Sequence, residues 1–254
     1  MIRVENLTVG YTKKAILENL NITIPKGKIT ALIGPNGCGK STLLKSISGS
    51  LKPSIGKVSL VDQDLSCLNH KMRAQRLSIL AQSPITPEGI TVKQLVNFGR
   101  NPYLSHWGRL TNEDHKKVHI AMQETELQRF ANTAISSLSG GQRQRAWIAM
   151  ILAQDTEYVL LDEPTTYLDL THQVELMEMM RTMNKQGKTI VVVLHDLNQA
   201  SRYCDHLVVM KKGKIIAQDS PDKIFNNALL KKVFNLNALI INDPVANKPM
   251  CIPL

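Results

Sequence analysis

Nine consecutive residues of the chain have the types and spacing of a phosphate-binding loop. They fit the pattern G-x-x-x-x-G-K-[ST]: Gly34, Pro35, Asn36, Gly37, Cys38, Gly39, Lys40, Ser41 and Thr42. Glycines let successive backbone N–H groups turn toward one anion, the lysine can reach β- and γ-phosphate oxygens, and the first hydroxyl can bind Mg²⁺. A glycine-rich turn could match by chance, but an apolar run precedes the loop and a helical pattern follows it, as the motif requires. The sequence therefore predicts a triphosphate site, in which the Cys38 thiol is incidental but open to alkylation.

A pair of acidic residues lies 122 positions after Lys40, at the end of an apolar run. Tyr158-Val-Leu-Leu precedes Asp162 and Glu163, and a strand that ends in a carboxylate is a Walker B pattern. Asp162 can hold Mg²⁺ through water, and Glu163 can polarise the attacking water as a general base. Such a pair is often only a solvated turn, but downstream of a phosphate-binding loop we favour the catalytic interpretation.

A second candidate for anion binding lies between these two motifs. It consists of Ser139, Gly140, Gly141 and Gln142, which precede an amphipathic helical pattern over Arg143–Gln154. A serine hydroxyl and glycine N–H groups at a helix N-terminus favour a negative charge, because they add to the positive end of the helix dipole. Taken alone, Ser-Gly-Gly could also be a simple loop.

Apolar runs predict the strands that must position these motifs. Alternating runs over Ile2–Val9 and Ile16–Ile24, with turn signals at Gly10 and at residues 25–27, predict an antiparallel patch. Continuous runs predict strands buried on both faces of a parallel sheet. Three are present: Ile29–Ile33, Val159–Leu161 and Ile190–Leu194.

Two further regions have a distinct pattern. From about Pro84 to Gln154 helical spacing replaces strand spacing, which predicts a mostly helical subdomain inserted into the sheet domain. Later, the strand patterns His206–Met210 and Ile215–Gln218 flank a Lys-Lys-Gly-Lys turn and predict a hairpin. Ser220-Pro221 then predicts a short helix, with the serine as its cap and the proline at its first position.

Composition limits the classes of function. The 254 residues include 31 Lys and Arg and 21 Asp and Glu, which gives a net charge of +10. The basic residues are scattered along the chain, which argues against nucleic-acid binding. The positive charge favours anionic ligands or an anionic membrane surface. The longest apolar runs fall well short of the roughly 20 residues that cross a bilayer, and no secretory signal is visible. The four cysteines have no metal-ligand spacing, which predicts reduced thiols in the cytosol. A membrane role would need another chain.

The phosphate loop, the Asp-Glu pair and the Leu-Ser-Gly-Gly-Gln segment between them together resemble the ATP-binding cassette (ABC) superfamily. The resemblance implies an α/β fold of P-loop NTPase type, with a RecA-like mixed sheet core, an N-terminal antiparallel β patch and an inserted helical subdomain. The implied boundaries are residues 1–84 and 155–225 for the catalytic core, 85–154 for the helical signature subdomain and 226–254 for a C-terminal extension.

The remaining motifs of the superfamily occur in the expected order. By resemblance, Tyr11 stacks on adenine, Gln82 is the Q-loop glutamine that contacts Mg²⁺ and the attacking water, Asp169 ends the D-loop, and His195 is the switch histidine at the γ-phosphate. A lone strand tyrosine or a histidine after a buried strand is more often structural. Their positions within the family pattern favour the functional assignment, with Glu163, His195 and Gln82 as the catalytic set.

In this family the signature segment of one cassette completes the ATP site of another. The resemblance therefore implies a head-to-tail homodimer with two composite sites that bind ATP and Mg²⁺. It also implies two integral membrane permease subunits, an indirect periplasmic substrate-binding partner and a peripheral location on the cytoplasmic face of the bacterial inner membrane. No nucleic-acid partner is expected.

Within the superfamily, the chain is most similar to ATPases of siderophore and metal-chelate importers, and among these to ferric citrate importers. The segments that carry this similarity are 86–92, Gly99–Tyr103, 107–110, 164–169, His195–Asp205 and Pro249–Cys251. No cluster of ligand-spaced residues suggests that this chain touches iron itself. Vitamin B12 and haem importers share the group and remain alternatives. A non-transport ABC ATPase fits less well, because the sequence lacks long coiled coils, zinc insertions and a second cassette. An exporter fits the core motifs but not the segments just given, and a regulatory ATP-binding protein would not need to keep both Glu163 and His195.

Overall fold

The computed structural model describes residues 1–11, 14–85, 88–105, 108–166 and 168–254. Its strands are β1 (Ile2–Tyr11), β2 (Lys14–Ile24), β3 (Ile29–Ile33), β4 (Ile55–Leu60), β5 (Gln63–Asp64), β6 (Leu77–Leu80), β7 (Tyr158–Leu161), β8 (Thr189–Val193), β9 (His206–Lys211), β10 (Lys214–Asp219), β11 (Ala238–Asn242) and β12 (Pro249–Pro253). Its helices are α1 (Lys40–Ser48), α2 (His70–Arg76), α3 (Val92–Phe98), α4 (Asn112–Glu124), α5 (Gly140–Gln154), α6 (Leu170–Lys185), α7 (Leu197–Tyr203), α8 (Pro221–Ile224) and α9 (Asn227–Phe234). Short 3₁₀ turns occupy Leu65–Cys67, Asn101–Tyr103, Gln128–Phe130 and Ile135–Ser137.

The central sheet has the order β10-β9-β3-β8-β7-β6. Its five strands from β9 to β6 are parallel, and β10 joins the edge antiparallel through the hairpin that the sequence predicts. Every residue of β3 and β8 is buried, since both faces of the sheet are covered. The predicted continuous strands are confirmed, and two of them begin one residue earlier than predicted, at Tyr158 and Thr189.

The antiparallel sheet has the order β2-β1-β4-β5, so β4 and β5 add to the predicted patch. The turn predicted at Gly10 is wrong, because β1 continues to Tyr11 and Gly10 pairs with Ala15 of β2. A Cβ at Gly10 would lie 2.0 Å from the Lys14 carbonyl oxygen. The glycine therefore permits a close approach of two strands and does not make a turn.

Two cores cover the two faces of the central sheet. One lies between the antiparallel sheet, α1 and the sheet face that carries Leu32 of β3. The other joins the opposite face, which carries Ala31 and Ile33, to the helical region and to α6. This arrangement holds α1 and the loop before it against the sheet edge where β3 ends.

Between β6 and β7, the regular elements in the described residues are helices, as predicted. A buried ion pair joins the end of α3 to α4: Arg100 Nε lies 2.8 Å from Asp114 Oδ1. The Arg100 Nη1 also donates to the Ala153 carbonyl in α5, at 2.8 Å. The predicted start of α5 at Arg143 is wrong by three residues, since the helix begins at Gly140 and is capped by Ser139.

The C-terminal residues pack on α7, the helix that follows His195. Strands β11 and β12 form a hairpin, and Asn198 of α7 exchanges two hydrogen bonds with the Cys251 backbone, at 3.0 and 2.8 Å. Ser220 precedes α8 as predicted, but its hydroxyl makes no capping hydrogen bond. No helix in the described ranges has the length and apolar character needed to cross a membrane.

Candidate functional site

The glycine loop lies between β3 and α1, as its motif requires. Gly34, Gly37 and Gly39 have φ angles of 155°, 73° and 104°, which other residues rarely adopt. A Cβ at Gly34 would also lie 2.2 Å from the Met210 carbonyl oxygen of β9. No side chain caps the N-terminus of α1. The loop and the positive end of the helix dipole therefore favour an anion at this point.

Lys40 is buried at the first position of α1 and turns back over the loop. Its Nζ donates to the Gly34 carbonyl at 2.8 Å and to the Pro35 carbonyl at 3.3 Å. An ammonium group fixed in this way adds a positive charge directly above the loop amides. The arrangement can bind the phosphates of a nucleotide.

Ser41 and Asp162 come together across the site. The Ser41 hydroxyl donates to Asp162 Oδ1 at 2.8 Å, which links the start of α1 to the end of β7. Burial raises the pKa of the Asp162 carboxyl, and the Ser41 hydrogen bond opposes that shift. The buried Asp162 carboxylate and the Ser41 hydroxyl, with the Gln82 amide on the cleft that Ser41 also lines, offer oxygen donors of the kind that Mg²⁺ prefers. The residues present therefore fit a magnesium ion.

Gln82, Glu163 and His195 follow the three neighbouring strands β6, β7 and β8. Gln82 Nε2 donates to Glu163 Oε2 at 2.6 Å, and His195 Nε2 lies 2.7 Å from Glu163 Oε1. Both oxygens of the Glu163 carboxylate are therefore engaged. Glu163 also has a φ of 51°, which is unusual for a residue with a side chain. Such strain is often found at functional sites.

These groups line one cleft of about 340 Å³. Its lining residues are Ile16, Asn36, Gly37, Cys38, Gly39, Lys40, Ser41, Thr42, Gln82, Glu163 and His195. Ile16 was missed by the sequence analysis, since its apolar type in a strand pattern carries no sign of a ligand. The expectation that Cys38 is open to alkylation is not supported, because the side chain is 3% exposed and burial raises the pKa of its thiol.

Tyr11, Asp169 and the signature segment Ser139–Gln142 lie outside the lining of this cleft. Tyr11 is half-exposed at the end of β1, and the Lys45 Nζ lies 6.0 Å from its ring centroid. Asp169 caps α6 and accepts a hydrogen bond from the His172 backbone at 2.9 Å. The signature segment is thus not brought to the phosphate loop within one chain, as the predicted composite site requires, while the roles of Tyr11 and Asp169 stay predictions.

The signature segment begins α5 with a reciprocal capping box. Ser139 Oγ accepts from the Gln142 backbone at 3.3 Å, and Gln142 Oε1 accepts from the Ser139 backbone at 3.1 Å. Ser139 and Gly140 are exposed. Further contacts, missed by the sequence analysis, hold this segment against the end of β7 and α6: Gln144 Nε2 donates to the Pro164 carbonyl at 2.9 Å, and Gly141 packs on His172. The calls on Thr86, Pro87, Trp107 and Tyr167 fall on residues outside the described ranges.

The structure has a phosphate loop and an Asp-Glu pair at the edge of a mixed sheet. It also has a Ser-Gly-Gly-Gln segment at the start of a helix in an inserted helical region. These features together define an ATP-binding cassette. The family model for ABC transporters matches residues 17–166. The chain belongs to the ABC transporter family, and it is an ABC-type ATPase.

Several characterised relatives match over nearly the whole chain. The achromobactin transport ATP-binding protein of Dickeya dadantii (strain 3937) is 51% identical over 97% of this chain and 92% of its own length. The iron(3+)-hydroxamate import ATP-binding protein of Bacillus subtilis (strain 168) is 48% identical over 98% of this chain and 93% of its own length. The ferric enterobactin transport ATP-binding protein of Escherichia coli (strain K12) is 47% identical over 100% of this chain and 94% of its own length.

Solved structures have the same fold. An inward-facing ABC transporter of metal-chelate type superposes with a TM-score of 0.85 at 27% identity, over 100% of this chain and 96% of that one. The dimeric cassette MJ0796 gives a TM-score of 0.77 at 30% identity, over 87% of this chain and 98% of that one. The same cassette in a post-hydrolysis state bound to ADP and Pi gives 0.76 at 30% identity, over 87% of this chain and 98% of that one.

Proposed function

We propose that this ATPase powers the import of a ferric chelate, with ferric citrate as the first cargo to test. The observation that carries the proposal is the agreement among relatives that are 47–51% identical over at least 97% of this chain. They serve achromobactin transport, iron(3+)-hydroxamate import and ferric enterobactin transport. The similarity of residues 107–110 and Pro249–Cys251 to ferric citrate systems supports the finer choice of cargo.

In this proposal ATP is bound by the loop amides and Lys40. Ser41, Asp162 and Gln82 hold Mg²⁺, which when bound neutralises phosphate charge and polarises the phosphoryl oxygens. Glu163 accepts the proton of the attacking water as general base, and His195 holds the Glu163 carboxylate from the other side at 2.7 Å. Gln82 occupies Glu163 Oε2 at 2.6 Å and must leave that oxygen before a water can bind there.

The same proposal places a second copy of the chain over the cleft. The support is that Ser139 and Gly140 are exposed at the start of α5, yet they do not line the cleft that contains Lys40. A helix N-terminus of this kind favours phosphate. The relative MJ0796 forms a dimer. In the composite site, Ser139–Gln142 of one copy face the triphosphate held by the other, together with Asp169, while Tyr11 stacks on the adenine.

The cargo itself passes through other chains. We place two integral membrane permease subunits above the ATPase pair and a periplasmic substrate-binding protein beyond them, with the ATPase peripheral to the cytoplasmic face of the inner membrane. The similarity to a whole metal-chelate transporter, at a TM-score of 0.85, supports this assembly.

An uptake experiment tests the cargo. The gene for this chain is deleted in its own host and restored as wild type or as Glu163→Gln, and uptake of radioactive iron is measured from ferric citrate, ferric enterobactin and a ferric hydroxamate. We expect wild type to restore uptake of ferric citrate and Glu163→Gln to leave it at the level of the deletion.

The other outcomes are equally informative. If the gene restored uptake of a different ferric chelate, that chelate would replace ferric citrate as the assigned cargo, and the proposal that this ATPase powers import of a ferric siderophore would stand. Restoration of labelled cobalamin or haem uptake, with no iron chelate affected, would overturn the proposal in favour of the alternative importers. Equal uptake with and without the gene would exclude a role in transporting any of these cargoes.

A further inference from the structure

His172 contacts two elements that the proposed composite site uses, although it does not line the ATP cleft. It is the third residue of α6, and its ring lies directly on Gly141 of the signature segment. A Cβ built on Gly141 would lie 2.6 Å from His172 Cδ2 and 2.8 Å from Nε2. No real Cβ makes contacts this short, so the ring packs on the bare α-carbon of the glycine.

A second contact fixes the orientation of the ring. His172 Nδ1 lies 2.7 Å from Asp169 Oδ1, and the same oxygen accepts the His172 backbone N–H at 2.9 Å. The Asp169 carboxylate thus caps α6 and orients the imidazole together. One histidine therefore connects the D-loop aspartate to the signature glycine.

The surrounding seam between α5 and α6 is otherwise loosely joined. A small cavity there is lined by Gly141, Gln144, Arg145, Glu175 and other residues of the two helices. Arg145 Nη1 is 3.7 Å from Glu175 Oε2 and 3.8 Å from Glu126 Oε2, and both glutamates are well exposed. Exposed ion pairs at such distances contribute little to stability. The ring of His172, in contrast, packs directly on Gly141 of the signature segment.

We propose that His172 is a positioning residue, which sets the first turn of α5 at the height needed to meet the triphosphate bound by the other copy. The inference rests on the composite site proposed above. It acts through Gly141 and Asp169, and it therefore serves the ATP site of the partner and not the one in its own chain. A displacement of about 1 Å in a binding group can lower a rate about 100-fold.

A mixture of two inactivated copies gives this proposal a directional test. The first copy carries Lys40→Ala, which removes the phosphate lysine and keeps the signature segment. The second carries Ser139→Arg, which blocks the signature segment and keeps the phosphate loop. Each copy alone lacks a complete site, whereas a mixed pair has one, formed by the signature of the first and the phosphate loop of the second.

His172→Ala is then placed in one copy at a time, and phosphate release by the full-length mixture is measured. We expect a loss of at least about tenfold when the change is in the Lys40→Ala copy, whose signature segment is in use. We expect less than about twofold when it is in the Ser139→Arg copy, since that copy contributes only the phosphate loop. His172→Asn, which can still donate to Asp169 but has no ring, should behave as His172→Ala does.

Each remaining outcome decides between the claims. An inactive mixture without any His172 change would show that the composite site is wrong, independently of His172. An active mixture in which His172→Ala acts equally in both copies, or in neither, would overturn the positioning role. Full activity of His172→Asn would assign the effect to the Asp169 hydrogen bond and refute the contact with Gly141 as its cause. Thermal unfolding of each variant serves as a check on its folding.

Discussion

The Glu163 carboxylate has surroundings unlike those of an ordinary surface acid. Its side chain is 13% exposed, its backbone has a positive φ, and each of its oxygens lies within 2.7 Å of a nitrogen. A backbone in this region costs of order 1–3 kcal/mol and persists only where neighbouring structure fixes it. The sheet fixes it here, since Gln82, Glu163 and His195 follow adjacent strands.

At this scale we predict that Glu163→Gln keeps ATP binding and loses turnover. Glutamine preserves the shape of the side chain but cannot act as a base, and the removal of a positioned base costs about 10²–10⁴-fold in rate. Calorimetric titration with ATP and phosphate release by the purified chain measure the two effects. Glu113→Gln, a change at an exposed glutamate in the first turn of α4, is the matched control. Hydrolysis by Glu163→Gln at the wild-type rate would require a different base.

The sequence predicted which side chains would share one site better than it predicted the finer contacts around them. Lys40, Ser41, Asp162, Gln82, Glu163 and His195 come together as expected. The spacing of Asp169 and His172 is that of a helix cap, but no sequence pattern shows that the ring then rests on Gly141, 31 positions earlier. Contacts of this kind arise from how α5 and α6 pack, and local sequence does not encode that packing.

Among the elements, helices α3, α4 and α5 share one buried ion pair in addition to their apolar core. Arg100 reaches Asp114 of α4 and the Ala153 carbonyl of α5, and both charged side chains are 7% exposed or less. The hydrogen bonds from Thr111 and Arg100 lower the pKa of the Asp114 carboxyl, although its burial acts in the opposite direction. The helical region is therefore joined by a charge that has little access to water.

We predict that Asp114→Asn destabilises the chain by about 3–5 kcal/mol, because it leaves the Arg100 guanidinium buried without a counter-charge. Denaturant unfolding measures this free energy. Glu178→Gln breaks the exposed Arg181–Glu178 pair and should change it by less than about 1 kcal/mol. If the two variants lost equal stability, the buried pair would not carry the role that we assign to it.

Strands and helices were predicted where periodicity was clear and missed where it was short. The continuous runs of β3, β7 and β8 gave nearly correct bounds because burial on both faces selects apolar residues at every position. β5 has only two residues, and β11 and β12 pair only with each other. None of these three strands therefore leaves a strong hydrophobic pattern in the sequence. The start of α5 was predicted late because Gly140 and Gly141 are poor helix formers that the Ser139 cap brings into the helix.

For the whole molecule, the separation of the signature segment from the cleft leads to a prediction about the state of assembly. One chain presents half of each predicted ATP site, so nucleotide should join two copies. We predict that ATP and Mg²⁺ double the mass of Glu163→Gln in solution, as light scattering after size exclusion measures. Adding Ser139→Arg should prevent the dimer and leave ATP binding to the single chain intact.

Three results would contradict this prediction. A Glu163→Gln chain that stays monomeric while saturated with ATP would argue that a permease is needed to bring the copies together. A Ser139→Arg chain that still dimerises with ATP would show that the signature segment does not form the interface. Loss of ATP binding in that variant would mean that Ser139 acts within its own chain.

Gln82, Glu163 and His195 follow three adjacent strands, so the spacing between neighbouring strand ends sets the contacts among the three side chains. Gln82 is the first of the three to meet the helical region, because the chain runs from β6 past it toward α3. A displacement of Gln82 away from the end of β7 lengthens its 2.6 Å hydrogen bond to Glu163. Because that bond occupies Glu163 Oε2, we expect the spacing between these two strand ends to control whether a water can reach the carboxylate.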